Sequence, residues 1–204
     1  MAISKYLFAQ FYDVLNYCVE HKVKPYRLET AGRCTGATLE IGAGTGANIP
    51  YFKNVSSLSM VEPDKHMRMK LKNKYKSDLK SITLINSAGE NLNLEDNYFD
   101  CVCTTLTLCM VENPEKVISE VYRVLKPGGS FYFYEHVLSK KNFGKSFQDK
   151  LNPFWKYFTT GCNLNRDIGS LFNMQTFRKL SINQFDLEFP FGISIPNIVG
   201  KATK

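Results

Sequence analysis

Three glycines, at positions 42, 44 and 46, alternate directly behind an apolar segment that carries one acid, Glu40. Glycine lets the backbone approach a ligand closely and adopt dihedral angles that a side chain forbids. Residues 37–41 are predicted to form the first strand of an α/β sheet. We expect the turn after this strand to open a helix whose backbone amides point at the ligand. The pattern therefore predicts a pocket for a nucleotide-sized ligand.

Two kinds of ligand fit these glycines. Gly42, Gly44 and Ala47 match the spacing of a dinucleotide site. Glu62 follows Gly42 by 20 residues, where such a site places a ribose-binding acid. Glu40, however, would lie inside the strand, where a buried carboxylate is costly unless a cation or several hydrogen-bond donors meet it. A pyrophosphate would add to that cost, whereas a ligand with an ammonium and a sulfonium centre would reduce it.

The glycine loop resembles that of class I S-adenosylmethionine-dependent methyltransferases. In that family an acid at the tip of the second strand accepts both ribose hydroxyls, and the resemblance gives this role to Glu62. Small residues after the third strand, at positions 88 and 89, would let the adenine lie flat. The residues predicted to bind S-adenosylmethionine are Tyr12, Glu40, Gly42, Ala43, Gly44, Gly46, Asn48, Glu62, Pro63, Ala88, Gly89, Glu90, Thr104, Thr105 and Leu106.

The segments after the glycine loop follow the order of strands and helices expected for this family. Strands are predicted at residues 58–61, 82–85, 101–106, 130–134, 184–189 and 198–203. A helix over residues 114–125 should end at the Lys126-Pro127-Gly128-Gly129 turn. The resemblance implies an α/β three-layer sandwich, with a seven-stranded, mostly parallel sheet of order 3-2-1-4-5-7-6 and an N-terminal lid helix.

Length and composition indicate a single domain over residues 1–204. A chain of this length with 44% hydrophobic residues can bury a core without metal or disulfide bonds. Within the domain, residues 1–30 would form lid helices and residues 36–136 the cofactor-binding core. Residues 137–204 would form an acceptor-side insertion and a final antiparallel hairpin.

Two aromatic segments flank the predicted core. Residues 6–20 place apolar side chains on one helical face, which would either cover the cofactor or pack on the sheet edge. Tyr12-Asp13 resembles a Tyr-Asp pair near the start of many small-molecule methyltransferases. Residues 143–158 carry a second apolar set, which would either wall an acceptor pocket or pack in the core. Its members are Phe147, Leu151, Phe154, Trp155 and Phe158.

A narrower resemblance links the chain, over roughly residues 36–204, to the methyltransferase-like 7 family. It rests on motifs at residues 103–109, 121–129, 135–137, 155, 161–166 and 196–204. Members of that family are microsomal alkyl-thiol S-methyltransferases, and the animal members begin with a hydrophobic anchor that is absent here. The resemblance implies a small apolar acceptor, with a thiol as the leading choice. N-methylation of an amine or lipid headgroup, or a non-catalytic cofactor-binding role, stays open.

Few residues are candidates for acid–base chemistry on the acceptor. A thiol has a pKa near ~8.5, so a modest base would raise its thiolate fraction. His136, just past the fifth strand, is the predicted base, and Glu135 would orient it or bind the acceptor. The alternative for His136 is a hydrogen-bonded structural histidine. Cys162 and Asn163 are further candidates for the acceptor site.

The net charge of +7 is concentrated in one predicted helix. Its basic residues are Lys65, Arg68, Lys70, Lys72, Lys74, Lys76 and Lys80. An apolar stripe at Met67, Leu71, Tyr75 and Leu79 would pack on the sheet and leave the basic residues in water. No aromatic residues are interleaved for base stacking, so no nucleic-acid partner is expected. Peripheral contact of this face with a membrane is the remaining functional interpretation.

The six cysteines do not have the spacing of a disulfide framework or a metal site, so we expect reduced core thiols and no metal. The longest apolar stretches are about a dozen residues, against roughly 20 needed to span a bilayer. With no signal peptide visible, a cytoplasmic location is expected.

Overall fold

The computed structural model describes residues 5–172, 177–189 and 194–204. The strands are β1 (Thr35–Ile41), β2 (Asn54–Val61), β3 (Ile82–Ile85), β4 (Phe99–Thr105), β5 (Leu125–His136), β6 (Lys179–Glu188) and β7 (Ser194–Thr203). The α-helices are α1 (Lys5–Glu29), α2 (Lys65–Lys74), α3 (Pro114–Val124), α4 (Asn142–Phe158) and α5 (Ile168–Leu171). Short 3-10 helices lie at Ala31–Arg33, Ile49–Tyr51 and Asp78–Lys80.

The seven strands form one sheet of order β3-β2-β1-β4-β5-β7-β6, which confirms the predicted topology. The first five positions in this order are parallel, and β7 runs antiparallel to both β5 and β6. The direction in which the chain adds strands reverses between β1 and β4. Open α/β sheets bind ligands in the crevice at such a switch point, at the carboxyl ends of the strands.

The carboxyl halves of β1, β4 and β5 are buried on both faces, and successive side chains along them point to opposite sides of the sheet. On one face, Val102 of β4 and Phe131 and Phe133 of β5 join a core with the apolar side of α3. On the other face, Cys101 and Cys103 pack in a separate cluster. Val23 of α1 packs with Tyr134 of β5, and Leu71 of α2 packs with Met60 of β2, so these helices also hold the strands that end at the crevice.

The glycine loop is not followed by an α-helix, contrary to expectation. Gly42, Gly44 and Gly46 have φ angles of 77°, 55° and 83°, in the left-handed region, and turns lead from them to the 3-10 helix Ile49–Tyr51. A right-handed helix cannot include such residues, and Pro50 has no N–H to donate. The N-terminus of a helix directly after the glycine loop, which the sequence led us to expect at the ligand, is therefore not formed.

The basic helix is shorter than predicted. α2 ends at Lys74, and Tyr75 caps it with a non-helical φ of −119°. Its basic side chains do not all point to solvent. Lys70 Nζ lies 2.8 Å from an Asp13 carboxylate oxygen and also donates to the Ala9 carbonyl, and Arg68 donates to the Glu62 carbonyl. Membrane contact through this face stays a prediction.

The turn predicted before the fifth strand lies inside β5. Leu125 pairs with Phe99 and Ser130 with Cys101, so the residues between them loop out of the regular register. Gly128, at a φ of 82°, lies in this irregularity and donates its N–H to the Lys204 carbonyl at 3.0 Å. Within the described parts of the chain, no helix combines the length and the apolar character needed to cross a bilayer.

Candidate active site

A cavity of about 900 Å³ opens at the carboxyl ends of β1, β2 and β4. This volume is in the range of small-molecule sites in proteins. Ten of the fifteen residues predicted to bind the cofactor line it. They are Tyr12, Gly42, Gly44, Glu62, Pro63, Ala88, Gly89, Glu90, Thr105 and Leu106. The structure thus brings together residues from α1 and from the loops after four strands.

Glu62 links the glycine loop to the start of α2. Its two carboxylate oxygens accept hydrogen bonds from the backbone N–H groups of Gly44 and Asp64, each at 2.8 Å. Burial raises the pKa of this carboxyl, and the two N–H donors oppose that rise. A carboxylate has about four lone-pair sites, so Glu62 keeps acceptor capacity towards the cavity that it lines.

Gly42 and Gly44 meet different surroundings. A Cβ on Gly42 would overlap the Thr107 side chain, whose hydroxyl donates to the Ile41 carbonyl at 3.1 Å. A Cβ on Gly44 would lie 3.7 Å from the Tyr12 ring, an ordinary contact. The Thr107 side chain therefore packs directly against the loop at Gly42, whereas at Gly44 the backbone faces the space beside Tyr12.

Leu106, at the tip of β4, has a φ of 55° and lines the cavity. Its N–H donates to the Tyr134 carbonyl at 2.7 Å, which helps to hold this unfavourable conformation. Left-handed non-glycine residues cost of order 1–3 kcal/mol and concentrate at binding sites, so the strain supports assignment of this loop to the site.

Glu40 does not line the cavity, and side chains of the protein itself lie beside its carboxylate. The protein itself supplies the neighbouring cation and donor: Arg27, buried in α1, donates to the Asn48 side-chain oxygen at 2.7 Å. The Asn48 amide in turn donates to Glu40 at 2.7 Å. Burial nevertheless raises the pKa of Glu40 to about 8. Glu40 and Asn48 thus join β1 to α1 beneath the loop.

Three other residues predicted to bind the cofactor also lie off the cavity wall: Ala43, Gly46 and Thr104. Ala43 and Thr104 are buried. A Cβ on Gly46 would press against Ile49 and Tyr75, so this glycine serves close packing rather than ligand approach. Direct cofactor contact by these residues, and by Glu40 and Asn48, stays a prediction that their positions do not support.

Helix α1 walls the cavity through Lys5, Phe8 and Tyr12. Asp13 attaches the helix to the glycine loop by accepting a 2.6 Å hydrogen bond from the Thr45 hydroxyl. Burial raises the pKa of Tyr12, so its hydroxyl stays protonated and can donate a hydrogen bond. The sequence predicted such a covering helix, but Lys5 and Phe8 were not among the predicted site residues.

The aromatic residues of α4 do not wall the cavity, contrary to one of the two interpretations of this segment. Phe147, Phe154 and Phe158 are more than half exposed, and the buried residue of the helix is Gln148. The Gln148 amide donates to the carbonyls of Val137 and Leu164, which orients the polar side of the helix inwards. From α4, Lys156 is the residue that reaches the cavity.

Glu135 and His136 lie behind the cavity and do not line it. Glu135 is fully buried, and its carboxylate accepts the backbone N–H of Thr107 at 3.0 Å. His136 Nε2 lies 2.7 Å from Cys162 Sγ. Burial alone would lower the pKa of His136, but the Cys162 thiolate raises it. Their roles on the acceptor stay predictions, and the position of His136 favours the structural alternative given for it.

The loops after β4 and α4 supply site residues that were not predicted from the sequence. Thr107, Met110, Val111 and Asn113 come from the first loop, and Thr160, Gly161, Asn163 and Arg166 from the second. Asn163 was a candidate for the acceptor site from the sequence, and Thr107, Gly161 and Arg166 lie in the family motifs at residues 103–109 and 161–166. Arg166 holds the two loops together by donating to the carbonyls of Leu108 and Val111, at 2.6 and 2.7 Å.

Charge in the cavity is balanced between four basic and four acidic residues. They are Lys5, Lys116, Lys156 and Arg166, and Glu62, Asp64, Glu90 and Glu112. The balanced lining suits a ligand that carries charges of both signs.

Known proteins resemble this chain in sequence and in fold. Residues 39–133 match the family described as methyltransferase domain. The chain is 34% identical to the human protein named Thiol S-methyltransferase TMT1A, over 81% of this chain and 70% of that protein. It is also 34% identical to the rat Thiol S-methyltransferase TMT1B, with the same coverage.

Solved structures share the fold at lower identity. A Thermotoga maritima protein, described as a SAM-dependent methyltransferase and possible histamine N-methyltransferase, superposes with a TM-score of 0.70 at 21% identity, covering 97% of this chain and 98% of that one. A Haemonchus contortus phosphoethanolamine N-methyltransferase, solved with S-adenosylhomocysteine, gives a TM-score of 0.66 at 15% identity, covering 83% of this chain and 49% of that one.

Proposed function

Because the chain belongs to the class I S-adenosylmethionine-dependent methyltransferases, in the same family as proteins named thiol S-methyltransferase, we propose that it methylates the sulfur of a small apolar thiol. The observation that carries the proposal is the 34% identity to those relatives over 81% of this chain. The cofactor is S-adenosylmethionine, as in the class as a whole.

The residues around the cavity fit this cofactor. Glu62 would hold the ribose hydroxyls, since it has acceptor capacity left after binding two backbone N–H groups. Gly42 and Gly44 expose backbone beside it, and Ala88 and Gly89 offer the small side chains that a flat adenine requires. Bound there, S-adenosylmethionine supplies an electrophilic methyl group on a sulfonium centre.

The remaining wall would hold the acceptor. Phe8, Met67, Met110 and Val111 give it apolar surface, and Asn163 adds a polar group. An apolar wall removes water from the reacting groups and favours an uncharged organic acceptor over a strongly hydrated one. Tyr12, which stays protonated, would donate a hydrogen bond that fixes the orientation of a bound group.

Thiol chemistry suits the groups that the cavity offers. Among the described residues, no histidine lines it. A few per cent of a thiol with a pKa near ~8.5 is already thiolate at neutral pH, so positioning replaces a strong base. An alcohol acceptor would need a base close to its hydroxyl. Binding of the acceptor against the apolar wall would bring its thiolate form within reaction distance of the methyl group.

The test is transfer of a labelled methyl group from S-adenosylmethionine to a panel of acceptors. Hydrophobic chains of equal length that end in a thiol, an amine, a phenol or a phosphoethanolamine isolate the effect of the accepting atom. We expect label on the thiol only, with loss of transfer in Glu62→Ala and retention in Glu120→Ala, which lies outside the cavity. Label on the amine or the phosphoethanolamine with none on the thiol would replace this proposal by N-methylation.

A further inference from the structure

Two cysteines and one histidine, far apart in the sequence, meet behind the acceptor side of the cavity. Cys109 lies in the loop after β4, His136 ends β5, and Cys162 follows α4. Cys162 Sγ lies 2.7 Å from His136 Nε2 and 3.6 Å from Cys109 Sγ. One ligand atom from each of the three side chains lies within 4.8 Å of the other two, and all three residues are buried. The spacing of the cysteines in the sequence did not indicate a metal site, but the fold brings these three side chains together.

We propose that Cys109, His136 and Cys162 bind one Zn²⁺ ion. Two thiolates and an imidazole are a donor set that zinc selects, with Zn–S near ~2.3 Å and Zn–N near ~2.0 Å. At tetrahedral angles these lengths place two sulfurs about 3.7 Å apart. The Cys109 and Cys162 sulfurs are already at 3.6 Å, whereas His136 Nε2, 2.7 Å from Cys162 Sγ, would have to move outward by roughly 0.9 Å to bind the same ion.

Hydrogen bonds that do not use the ligand atoms fix the backbone around the cluster. The Cys109 carbonyl accepts from the Asn163 backbone N–H at 2.9 Å and from the Asn163 side chain at 3.2 Å. Gln148 ties the residue after His136 to Leu164 through their carbonyls. The three ligands are thus pre-organised, which reduces the ordering that metal binding would otherwise require.

Charge and solvation also favour an ion at this position. Charged thiolates are costly in a buried site, and a divalent cation between them neutralises both. Three protein ligands leave one tetrahedral position, which a water molecule would fill. Met110, Gly161 and Asn163, adjacent in sequence to the ligands, line the cavity, so the ion would hold two parts of the cavity wall together.

Zinc content measures the proposal directly. Protein expressed with added ZnSO₄ and dialysed against metal-free buffer should carry about one zinc per chain by plasma mass spectrometry. Cys109→Ser and Cys162→Ser should each lose most of it. The matched control is Cys34→Ser, another buried thiol, which should keep the zinc of the wild type. Circular dichroism and calorimetric S-adenosylmethionine binding establish that each variant folds.

A second readout needs no variant. Titration of the zinc-free wild-type protein with CoCl₂ should produce thiolate-to-cobalt charge-transfer absorption, which added ZnSO₄ removes. Absence of both zinc and this absorption from folded protein would overturn the proposal, as would equal zinc loss in Cys34→Ser. A Cys109–Cys162 disulfide that persists under mild reduction would also overturn it. Neither readout uses a methyl acceptor, so failure here is distinct from failure of the proposed thiol specificity.

Discussion

The backbone N–H of Gly44 donates to the Glu62 carboxylate at 2.8 Å, so the loop after β1 and the tip of β2 form one unit at the cavity wall. The other Glu62 oxygen accepts the Asp64 N–H, and Asp64 then caps α2 by accepting from His66 and Met67. The Glu62 side chain therefore positions both the glycine loop and the start of α2, and these two hydrogen bonds hold its carboxylate in place at the cavity wall.

Replacing Glu62 with Gln should weaken S-adenosylmethionine binding by about tenfold or more, because a charged acceptor is lost while the size of the side chain is kept. Isothermal titration calorimetry measures the change. Glu120→Gln is the matched control, since Glu120 binds Arg123 and the Leu92 N–H away from the cavity and should leave the affinity unchanged. Equal affinities for wild type and the Glu62 variant would remove Glu62 from the site.

Alanine at Gly42 and at Gly128 should have unequal effects although both glycines have positive φ. Gly128→Ala meets open space, so only backbone strain of about 1 kcal/mol is expected. Gly42→Ala also overlaps Thr107 and should lose at least about 2 kcal/mol more. Urea unfolding measures both, and equal losses would show that the Thr107 contact can relax freely.

Stability should fall with rising pH because of Glu40. Burial raises its pKa from 4.5 to about 8, so the folded state holds this proton more tightly than the unfolded chain. The resulting stabilisation is complete below pH 4.5 and lost as the pH rises through about 8. A decrease of roughly 2 kcal/mol or more in unfolding free energy is expected over this window.

Glu40→Gln should flatten this part of the pH profile, because Gln keeps an oxygen for the Asn48 amide and does not ionise. Urea unfolding at a series of pH values gives the profile. Glu95→Gln, at an exposed loop position, should follow the wild type. A Glu40 variant with an unchanged slope would assign the pH dependence to another group.

Acceptor binding should depend on Met110 and not on Phe147. Met110 lines the cavity, whereas Phe147 is 52% exposed on α4. Met110→Ala should raise the KM for the accepted substrate by about three- to tenfold, since it removes apolar contact area. Phe147→Ala should leave that KM within about twofold, because the side chain makes no contact with the cavity. Steady-state kinetics with saturating S-adenosylmethionine measure both KM values. A larger effect at Phe147 would restore the interpretation of this segment as a wall of the acceptor pocket.

The sequence by itself determined the order of the strands and ten of the residues that line the cavity. β3 lies at the predicted residues 82–85, and Glu62 lies at the tip of the predicted second strand. These features follow from local rules: alternation of apolar residues specifies a strand, and parallel strands bring their carboxyl ends to one edge. The spacing of the glycines also indicates where the backbone can approach a ligand closely.

The tertiary structure decided which distant side chains meet. Arg27 and Asn48 reach Glu40, and Cys109, His136 and Cys162 converge, although no spacing in the sequence links either set. An amphipathic pattern such as that of α4 marks an apolar side but not the surface that covers it, so Phe154 lies exposed instead of in the cavity. Contacts between segments depend on how loops and helices cross the sheet. The local periodicity of the sequence does not specify those crossings.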